Sequence, residues 1–211
     1  MIEMKRMRRR RARMVRFIIG LILSVALILV AVYFIFRVPE QVPQINYPMR
    51  MVDEIREYAD EYDLDPARVA AVIYCESSFR TEAVSEVGAR GLMQIMPTTG
   101  EWLATKFPDI EYTSPEQLFD PDTNMKFGCW YLNYLDGRFS GDLAMATAAY
   151  HAGQGTVDKW LENAEYSTDG ATLIGMPAGA TATYVNRVVA AYEGYKVLYG
   201  EAAKALPNDE G

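Results

Sequence analysis

From residue 49 onward, apolar and polar positions follow the period of an α-helix. Between residues 49 and 62, apolar side chains such as Ile55 and Ala59 recur at the spacing of one helix face. No stretch shows the sustained period-two alternation of half-buried strands, and there is no internal repeat. The pattern predicts a single all-α domain over residues 49–200, with about seven to nine helices and at most a short hairpin in a loop.

Helix-start signals divide this domain. Asp65-Pro66 and Asp120-Pro121 each place an N-capping carboxylate before a proline at the first helical position. Residues 114–117, Ser-Pro-Glu-Gln, form a capping box. After the helix over 49–62, the predicted helices are 66–76, Thr98 or Thr99 through Phe107, 121–138, 142–150, 156–163 and 181–200.

The octapeptide 72–79, Val-Ile-Tyr-Cys-Glu-Ser-Ser-Phe, ends a predicted buried helix with a carboxylate. Burying an ionised carboxylate is costly, and the group usually responds by taking up a proton. A Glu76 that stays protonated near neutral pH would suit general acid catalysis. The octapeptide alone favours the alternative, in which Glu76 ends the helix and points into water.

Residues 17–36 contain no charge and no proline, and at about 1.5 Å per residue they are long enough to span a bilayer. A cleavable signal peptide is the alternative, but its apolar region is shorter and ends in small residues, whereas this run ends in Tyr33-Phe34-Ile35-Phe36. We therefore predict one uncleaved transmembrane signal anchor. The basic tip over 1–16 places the N-terminus in the cytoplasm and the body outside. A proline-rich tether over 37–48 and a flexible tail over 201–211 complete the organisation.

The net charge of −7 conceals a split between the tip and the body. Residues 1–16 hold eight of the 21 bases and one of the 28 acids, which leaves 13 bases and 27 acids for residues 37–211. An acidic body would repel nucleic-acid phosphates, so a nucleic-acid partner is not expected. One His and two well-separated Cys offer no metal-ligand spacing, so neither a metal nor another cofactor is predicted.

Four motifs follow one another between residues 50 and 200. They are Glu76-Ser77-Ser78-Phe79 with Ala83, Ser85, Gly88-Ala89 and Gly91-Leu92-Met93-Gln94-Ile95-Met96-Pro97; then Asn124, Gly128 and Tyr131-Leu132; then Ala148-Ala149-Tyr150-His151-Ala152-Gly153; and Thr181, Tyr184-Val185 and Val188. In order and spacing they resemble the soluble lytic transglycosylase (SLT) domain, glycoside hydrolase family 23, whose fold is similar to goose-type lysozyme. The resemblance implies a lysozyme-like helical domain.

The resemblance also implies site residues. Glu76 corresponds to the family's sole catalytic acid/base, and Ser85, Gln94, Met96 and Tyr150 correspond to residues that line the glycan groove. Three of the groove residues have a structural alternative: Met96 as core, Tyr150 as core with its hydroxyl satisfied, and Gln94 as an amide with buried partners.

The implied activity is cleavage of the bond between N-acetylmuramic acid and N-acetylglucosamine in peptidoglycan, with formation of 1,6-anhydromuramoyl ends. A muramidase on the same fold and a catalytically weak peptidoglycan-binding module remain alternatives. The expected partners are peptidoglycan strands, the cell membrane and a cell-wall synthesis, division or secretion complex.

Two positions depart from the family's pattern. Ala180 stands where the family usually has a glutamate assigned to substrate binding, and His151 stands where it has an asparagine. His151 is more naturally a structural replacement for the amide, although a titrating His near Glu76 would make activity pH-sensitive. Cys75 and Cys129 are predicted to lie near each other, either as a disulfide in an extracytoplasmic domain or as two buried thiols.

Overall fold

The computed structural model describes residues 47–205 without a break, and residues 14, 17, 19, 20, 23–25, 27–30 and 33 before them. The chain divides into two units, residues 1–46 and residues 47–211. The described residues of the first unit are helical and exposed. Among all described residues, no helix is long and apolar enough to cross a bilayer. The predicted anchor is described only in part, and most of the tip and of the tether lies outside the described residues.

Between residues 47 and 205 the chain forms seven α-helices and one 3₁₀ helix. These are α1 (Val52–Glu61), α2 (Pro66–Ser77), α3 (Pro97–Ala104), the 3₁₀ helix (Pro115–Phe119), α4 (Pro121–Arg138), α5 (Leu143–Ala152), α6 (Gln154–Leu161) and α7 (Ala180–Ala205). The only β pairing in this range consists of two isolated bridges, Val84 with Arg90 and Arg90 with Ile95. The prediction of an all-α domain is confirmed.

Helix α2 lies at the centre of the domain. It begins where predicted, because the Asp65 carboxylate accepts a hydrogen bond of 2.9 Å from Ala67 N–H and Pro66 occupies the first helical position. Residues 67–73 are almost fully buried on every side of the helix, which identifies α2 as a core helix. It packs mainly against α7 and also against α1.

The described domain starts slightly before α1. The Tyr47 ring lies against Gly194 of α7, where any Cβ would come within 2.3 Å of it. Tyr195 then donates a hydrogen bond of 3.0 Å to the Pro48 carbonyl. Residues 47 and 48, which the sequence pattern assigns to the tether, are thus held by the closing helix.

Several helix ends differ from the predicted ones. Helix α3 begins at Pro97 with no side-chain cap, because proline itself sets the helical φ at the first position, so neither Thr98 nor Thr99 caps it. Helix α5 continues through His151 and stops before Gly153, whose φ is 84°. Helix α6 begins at Gln154, two residues early, and α7 continues to Ala205, into the predicted tail. Residues 206–211 lie outside the described residues.

The segment 90–95 is held in place by one side chain of α4. Asn124 accepts a hydrogen bond of 2.8 Å from Met93 N–H and donates to the carbonyls of Arg90 (2.9 Å) and Leu118 (2.7 Å). Gly91 faces this amide with a φ of +75°. An added Cβ there would lie 2.1 Å from the Leu118 oxygen, so only glycine fits.

We predict that Gly91→Ala destabilises the fold far more than Gly88→Ala. Both glycines have positive φ, which costs alanine about 1 kcal/mol or more at either position. A Cβ at Gly88 meets nothing within 4 Å, whereas one at Gly91 would displace Leu118 or Asn124. We expect Gly91→Ala to lose about 2 kcal/mol more of the free energy of unfolding, measured by urea denaturation of the full chain. Equal losses in the two variants would contradict this account.

Candidate active site

Glu76 lies in the last turn of α2, where the chain leaves the core helix abruptly. Ser78 and Phe79 both adopt the left-handed backbone region, with φ of 53° and 64°. Two consecutive non-glycine residues in this region are costly, and such strain is concentrated at functional sites. The turn is held by Arg80, whose Nε donates to the Ser77 carbonyl at 2.9 Å. The half-buried Glu76 side chain is thereby fixed at the edge of the core.

The Glu76 carboxyl is held by a phenol from the closing helix. Tyr184 O–H donates to Glu76 Oε1 at 2.6 Å, and Tyr184 itself is only 5% exposed. Burial raises the pKa of Glu76 to about 7, although the Tyr184 hydrogen bond and the Arg187 charge both act to lower it. No other hydrogen bond among the described residues uses the carboxyl. Oε2 can therefore carry a proton near neutral pH.

Arg187 provides positive charge beside this carboxyl. Its Nη2 donates to the Cys75 carbonyl, and its charge favours the ionised form of both Glu76 and Cys75. Burial is nevertheless the larger effect on the Cys75 thiol and raises its pKa. Cys75 and Cys129 are free thiols in the structure, so the disulfide alternative is not formed there.

His151 lies beside Tyr184 at the end of α5. The two rings are stacked, with centroids 4.5 Å apart and an interplanar angle of 29°. His151 Nδ1 lies 3.1 Å from Thr181 Oγ1, so the imidazole is fixed to the first turn of α7. Partial burial and the Arg187 charge lower the pKa of His151.

A pocket of about 250 Å³ opens next to these rings. It is lined by Gln94, Ile95, Met96, Thr99, Tyr131, Tyr150, His151, Ala152 and Gly153. Three of the four predicted groove residues, Gln94, Met96 and Tyr150, are therefore brought together. No carboxylate is among the lining residues, and His151 is the one whose ordinary pKa is nearest neutrality.

Hydrogen bonds fix the side chains of Tyr150 and Gln94. Tyr150 donates to the Met93 carbonyl at 2.9 Å. The Gln94 amide donates to the carbonyls of Ala83 (3.1 Å) and Gly91 (2.9 Å), so both its protons are used within the loop. Its Oε1 accepts no hydrogen bond from a described residue. Gln94 is thus a structural amide with a free acceptor at the pocket.

Ser85, the remaining predicted groove residue, does not line the pocket. Its Oγ accepts a hydrogen bond of 2.9 Å from Ala89 N–H and closes a turn in the loop 85–89. The structure therefore places Ser85 in the support of the loop that leads to Gly91.

Sequence reasoning did not single out Tyr184 or Arg187 as site residues. Both lie on α7, more than 100 positions from Glu76, and Tyr184 occupies an apolar position of an amphipathic pattern. The sequence held one indication of the pairing of Tyr184 with Glu76. A buried tyrosine needs a partner for its hydroxyl, and a buried carboxyl without a nearby partner needs a donor.

Together, the helical fold, one half-buried carboxyl with a raised pKa and the nearby pocket match the lysozyme-like domain that the sequence motifs imply. The family model described as the transglycosylase SLT domain matches residues 53–173, more than half of the chain. The chain belongs to this family.

A curated relative, the soluble lytic murein transglycosylase of Escherichia coli, is 33% identical over 157 residues, 74% of this chain and 24% of that protein. The crystal structure of the 70 kDa soluble lytic transglycosylase of Escherichia coli has a TM-score of 0.67 and 31% identity, over 75% of this chain and 26% of that one. An inactive glutamate-to-glutamine variant of the lytic transglycosylase Slt from Pseudomonas aeruginosa has a TM-score of 0.62 and 32% identity, over 77% and 26%. The chain thus spans about a quarter of the length of these relatives.

We predict that Tyr184→Phe shifts the titration of Glu76 to higher pH. The Tyr184 hydrogen bond favours the charged carboxylate, so its loss favours the protonated form, while the ring and its packing remain. Carbon-13 NMR of labelled glutamate carboxyls in the full chain measures this, with Glu76→Gln to assign the resonance. Tyr192→Phe, which removes a phenol on the same helix that bonds Asp65, is the matched control and should leave Glu76 unchanged. A titration unmoved by Tyr184→Phe would contradict the assignment.

Proposed function

We propose that this chain is a membrane-anchored lytic transglycosylase acting on peptidoglycan. It cleaves the β-1,4 bond between N-acetylmuramic acid and N-acetylglucosamine and leaves 1,6-anhydromuramoyl ends. The observation that carries this proposal is a single carboxyl, Glu76, kept protonable near neutral pH beside an open pocket. The names of the relatives support the same activity, since they are lytic murein transglycosylases.

In the first step Glu76 acts as a general acid. Its Oε2 proton passes to the bridging oxygen as the bond from that oxygen to the muramoyl C1 breaks. Positive charge develops at C1, and the acetamido group of the substrate stabilises it, as in substrate-assisted glycosidases. Tyr184 holds Oε1, which fixes the direction in which the other oxygen faces. It also stabilises the carboxylate that results.

In the second step the same carboxylate acts as a general base. It takes the proton of the muramoyl C6 hydroxyl while that oxygen bonds to C1, which closes the anhydro ring. The proton lost in the first step is regained, and no water is consumed. A group that must act as acid and then as base works best with a pKa near the working pH, which the value of about 7 provides.

The pocket residues supply the binding contacts in this proposal. Gln94 Oε1 accepts a hydrogen bond from a sugar hydroxyl or amide, and the Met96 side chain covers an apolar ring face. Tyr150, fixed by its bond to Met93, lines the pocket and interacts electrostatically with Glu76. Ser85 acts through the loop that positions Gln94. The exposed Ala180 contributes no polar contact, which predicts weaker glycan binding than a glutamate there would give.

The inactive Pseudomonas aeruginosa variant supports an essential glutamate, since one glutamate-to-glutamine change accompanies the loss of activity stated for it. Glu76 is our candidate for the corresponding residue. Burial raises its pKa to about 7, as a general acid requires.

We predict that the full chain releases anhydromuramoyl products from purified peptidoglycan and that Glu76→Gln does not. Glutamine keeps the size and can accept the Tyr184 hydrogen bond, but it cannot donate the required proton or take one back. The loss should be at least about 100-fold to 10,000-fold. Mass spectrometry of the released sugars is the measurement, because an anhydro product lacks one water relative to the hydrolysed one. Glu82→Gln, an exposed glutamate six residues away, is the control and should stay active.

The alternatives predict other results. Reducing-end products would assign a muramidase, in which water takes the place of the C6 hydroxyl. Binding without any product from the unmodified chain would assign a peptidoglycan-binding module and would make Ala180 the first position to restore to glutamate.

The membrane anchor is proposed from the sequence of residues 17–36, with the basic tip inside and the catalytic domain outside the cell membrane. Such an anchor keeps the site within a few nanometres of the membrane, where peptidoglycan is assembled. This placement suits recruitment to a cell-wall synthesis, division or secretion complex.

We predict that the full chain sediments with membranes and resists extraction at alkaline pH, whereas a chain lacking residues 17–36 does not. The free energy of burying about 20 apolar residues far exceeds what surface binding by the basic tip provides. The N-terminal mass of the membrane-bound protein decides between anchor and signal peptide. A mature chain that begins after residue 36 would contradict the anchor.

A further inference from the structure

The contacts of His151 form a continuous chain that ends at Glu76. Thr181 Oγ1 lies 3.1 Å from His151 Nδ1, the imidazole stacks on the Tyr184 ring at 4.5 Å, and the Tyr184 hydroxyl donates to Glu76 Oε1 at 2.6 Å. Each contact joins the end of α5 to α7, or α7 to the end of α2. His151 itself makes no hydrogen bond to Glu76.

We infer that His151 is a positioning residue for Glu76, whose flat ring covers one face of Tyr184 and keeps the phenol directed at the carboxyl. The inference rests on the proposed role of Glu76 as acid and base. It assigns to His151 an effect through Tyr184, distinct from contact with the reacting atoms.

The geometry explains why a ring is suited to this position. A phenol can rotate about its side-chain bonds unless both ring faces are covered, and a hydrogen bond made at its tip is sensitive to small rotations. Tyr184 is almost buried, and the exposed imidazole supplies a stacked aromatic surface on the pocket side. An amide at position 151 would supply hydrogen-bonding groups but no aromatic face.

The bond to Thr181 orients the imidazole. Stacking alone leaves the ring free to slide, whereas a hydrogen bond between Nδ1 and Thr181 Oγ1 in the first turn of α7 sets its angle to Tyr184. Ala180, the neighbour of Thr181, has no side chain that could compete for Nδ1. Ala180 is therefore compatible with the hydrogen bond between His151 and Thr181.

Few charged groups surround Glu76 and His151. Glu76 faces Tyr184 and Arg187 from α7, Tyr150 from α5 and Cys75 on its own helix. His151 faces Thr181, Tyr184 and Arg187 from α7, and Tyr150 precedes it on α5. No carboxylate faces His151 among these described groups, so a neutral, stacking imidazole is the favoured form.

The test is a double-mutant cycle on the full chain, with the titration of Glu76 followed by carbon-13 NMR of labelled carboxyls. We expect His151→Ala to shift this titration to higher pH, in the direction of Tyr184→Phe and by no more than that variant does. In the Tyr184→Phe background, where the hydroxyl is already gone, His151→Ala should give no further shift. The readout needs no turnover, so it stands even if no anhydro product is found.

Three further variants identify which contact of His151 positions Tyr184. His151→Phe keeps a flat ring and should leave the titration close to that of the unmodified chain, whereas His151→Asn should shift it as His151→Ala does. Thr181→Val, which keeps the shape but removes the oxygen, should give a smaller shift in the same direction. Asn186→Ala, at an exposed position of α7, is the control for changes on that helix.

Three results would overturn the inference. A shift from His151→Ala that persists in full with Tyr184→Phe would mean that the imidazole acts on Glu76 directly. A fall in thermal stability without any shift would make His151 merely structural. A shift from His151→Phe as large as that from His151→Ala would exclude the stacked ring as the cause.

Discussion

The burial of one carboxyl at the end of α2 is the constraint on which the site depends. Residues 67–73 leave the helix no solvated face, and Glu76, three residues further on, is half-buried at the edge of the core. The resulting desolvation outweighs both the Tyr184 hydrogen bond and the Arg187 charge, which is why the pKa is raised despite two groups that lower it. Because both groups come from α7, the packing of α2 against α7 determines the ionisation of Glu76.

One part of the pocket wall, residues 94–96, is irregular backbone, and side chains of two helices hold the residue that precedes it. Both backbone polar groups of Met93 are fixed by side chains, the N–H by Asn124 of α4 and the carbonyl by Tyr150 of α5. The Met93 side chain packs on Gly128, where a Cβ would lie 2.2 Å from its sulfur. Two helices thus hold one residue between them. Gln94, with a φ of 51°, is held in a left-handed conformation at the pocket as a consequence.

The sequence predicted what is determined locally. Asp65-Pro66, Asp120-Pro121 and the capping box at Ser114 mark helix starts because each start depends on a few adjacent residues. The motifs placed Gln94, Met96 and Tyr150 at one pocket through the resemblance to known domains. Tyr184 was missed because its hydroxyl finds Glu76 across 108 positions, and an apolar periodicity does not distinguish a core phenol from one that holds a carboxyl. The Ser85 hydroxyl, predicted at the groove, accepts a hydrogen bond from Ala89 N–H and is not among the residues that line the pocket.

Because position 180 is alanine, the site lacks the charge that a glutamate would place at the start of α7. A glutamate at the start of α7 would stand next to Thr181, which contacts His151, and its charge would favour protonation of both His151 and Glu76. Without it, the effects on the pKa of Glu76 reduce to burial on one side and the Tyr184 and Arg187 contacts on the other. The two-carboxylate arrangement, in which like charges keep one acid protonated, therefore does not apply to the described site. Here burial, in place of a second carboxylate, raises the pKa of Glu76. A change that admits water beside the carboxyl and keeps its contacts should therefore lower this pKa.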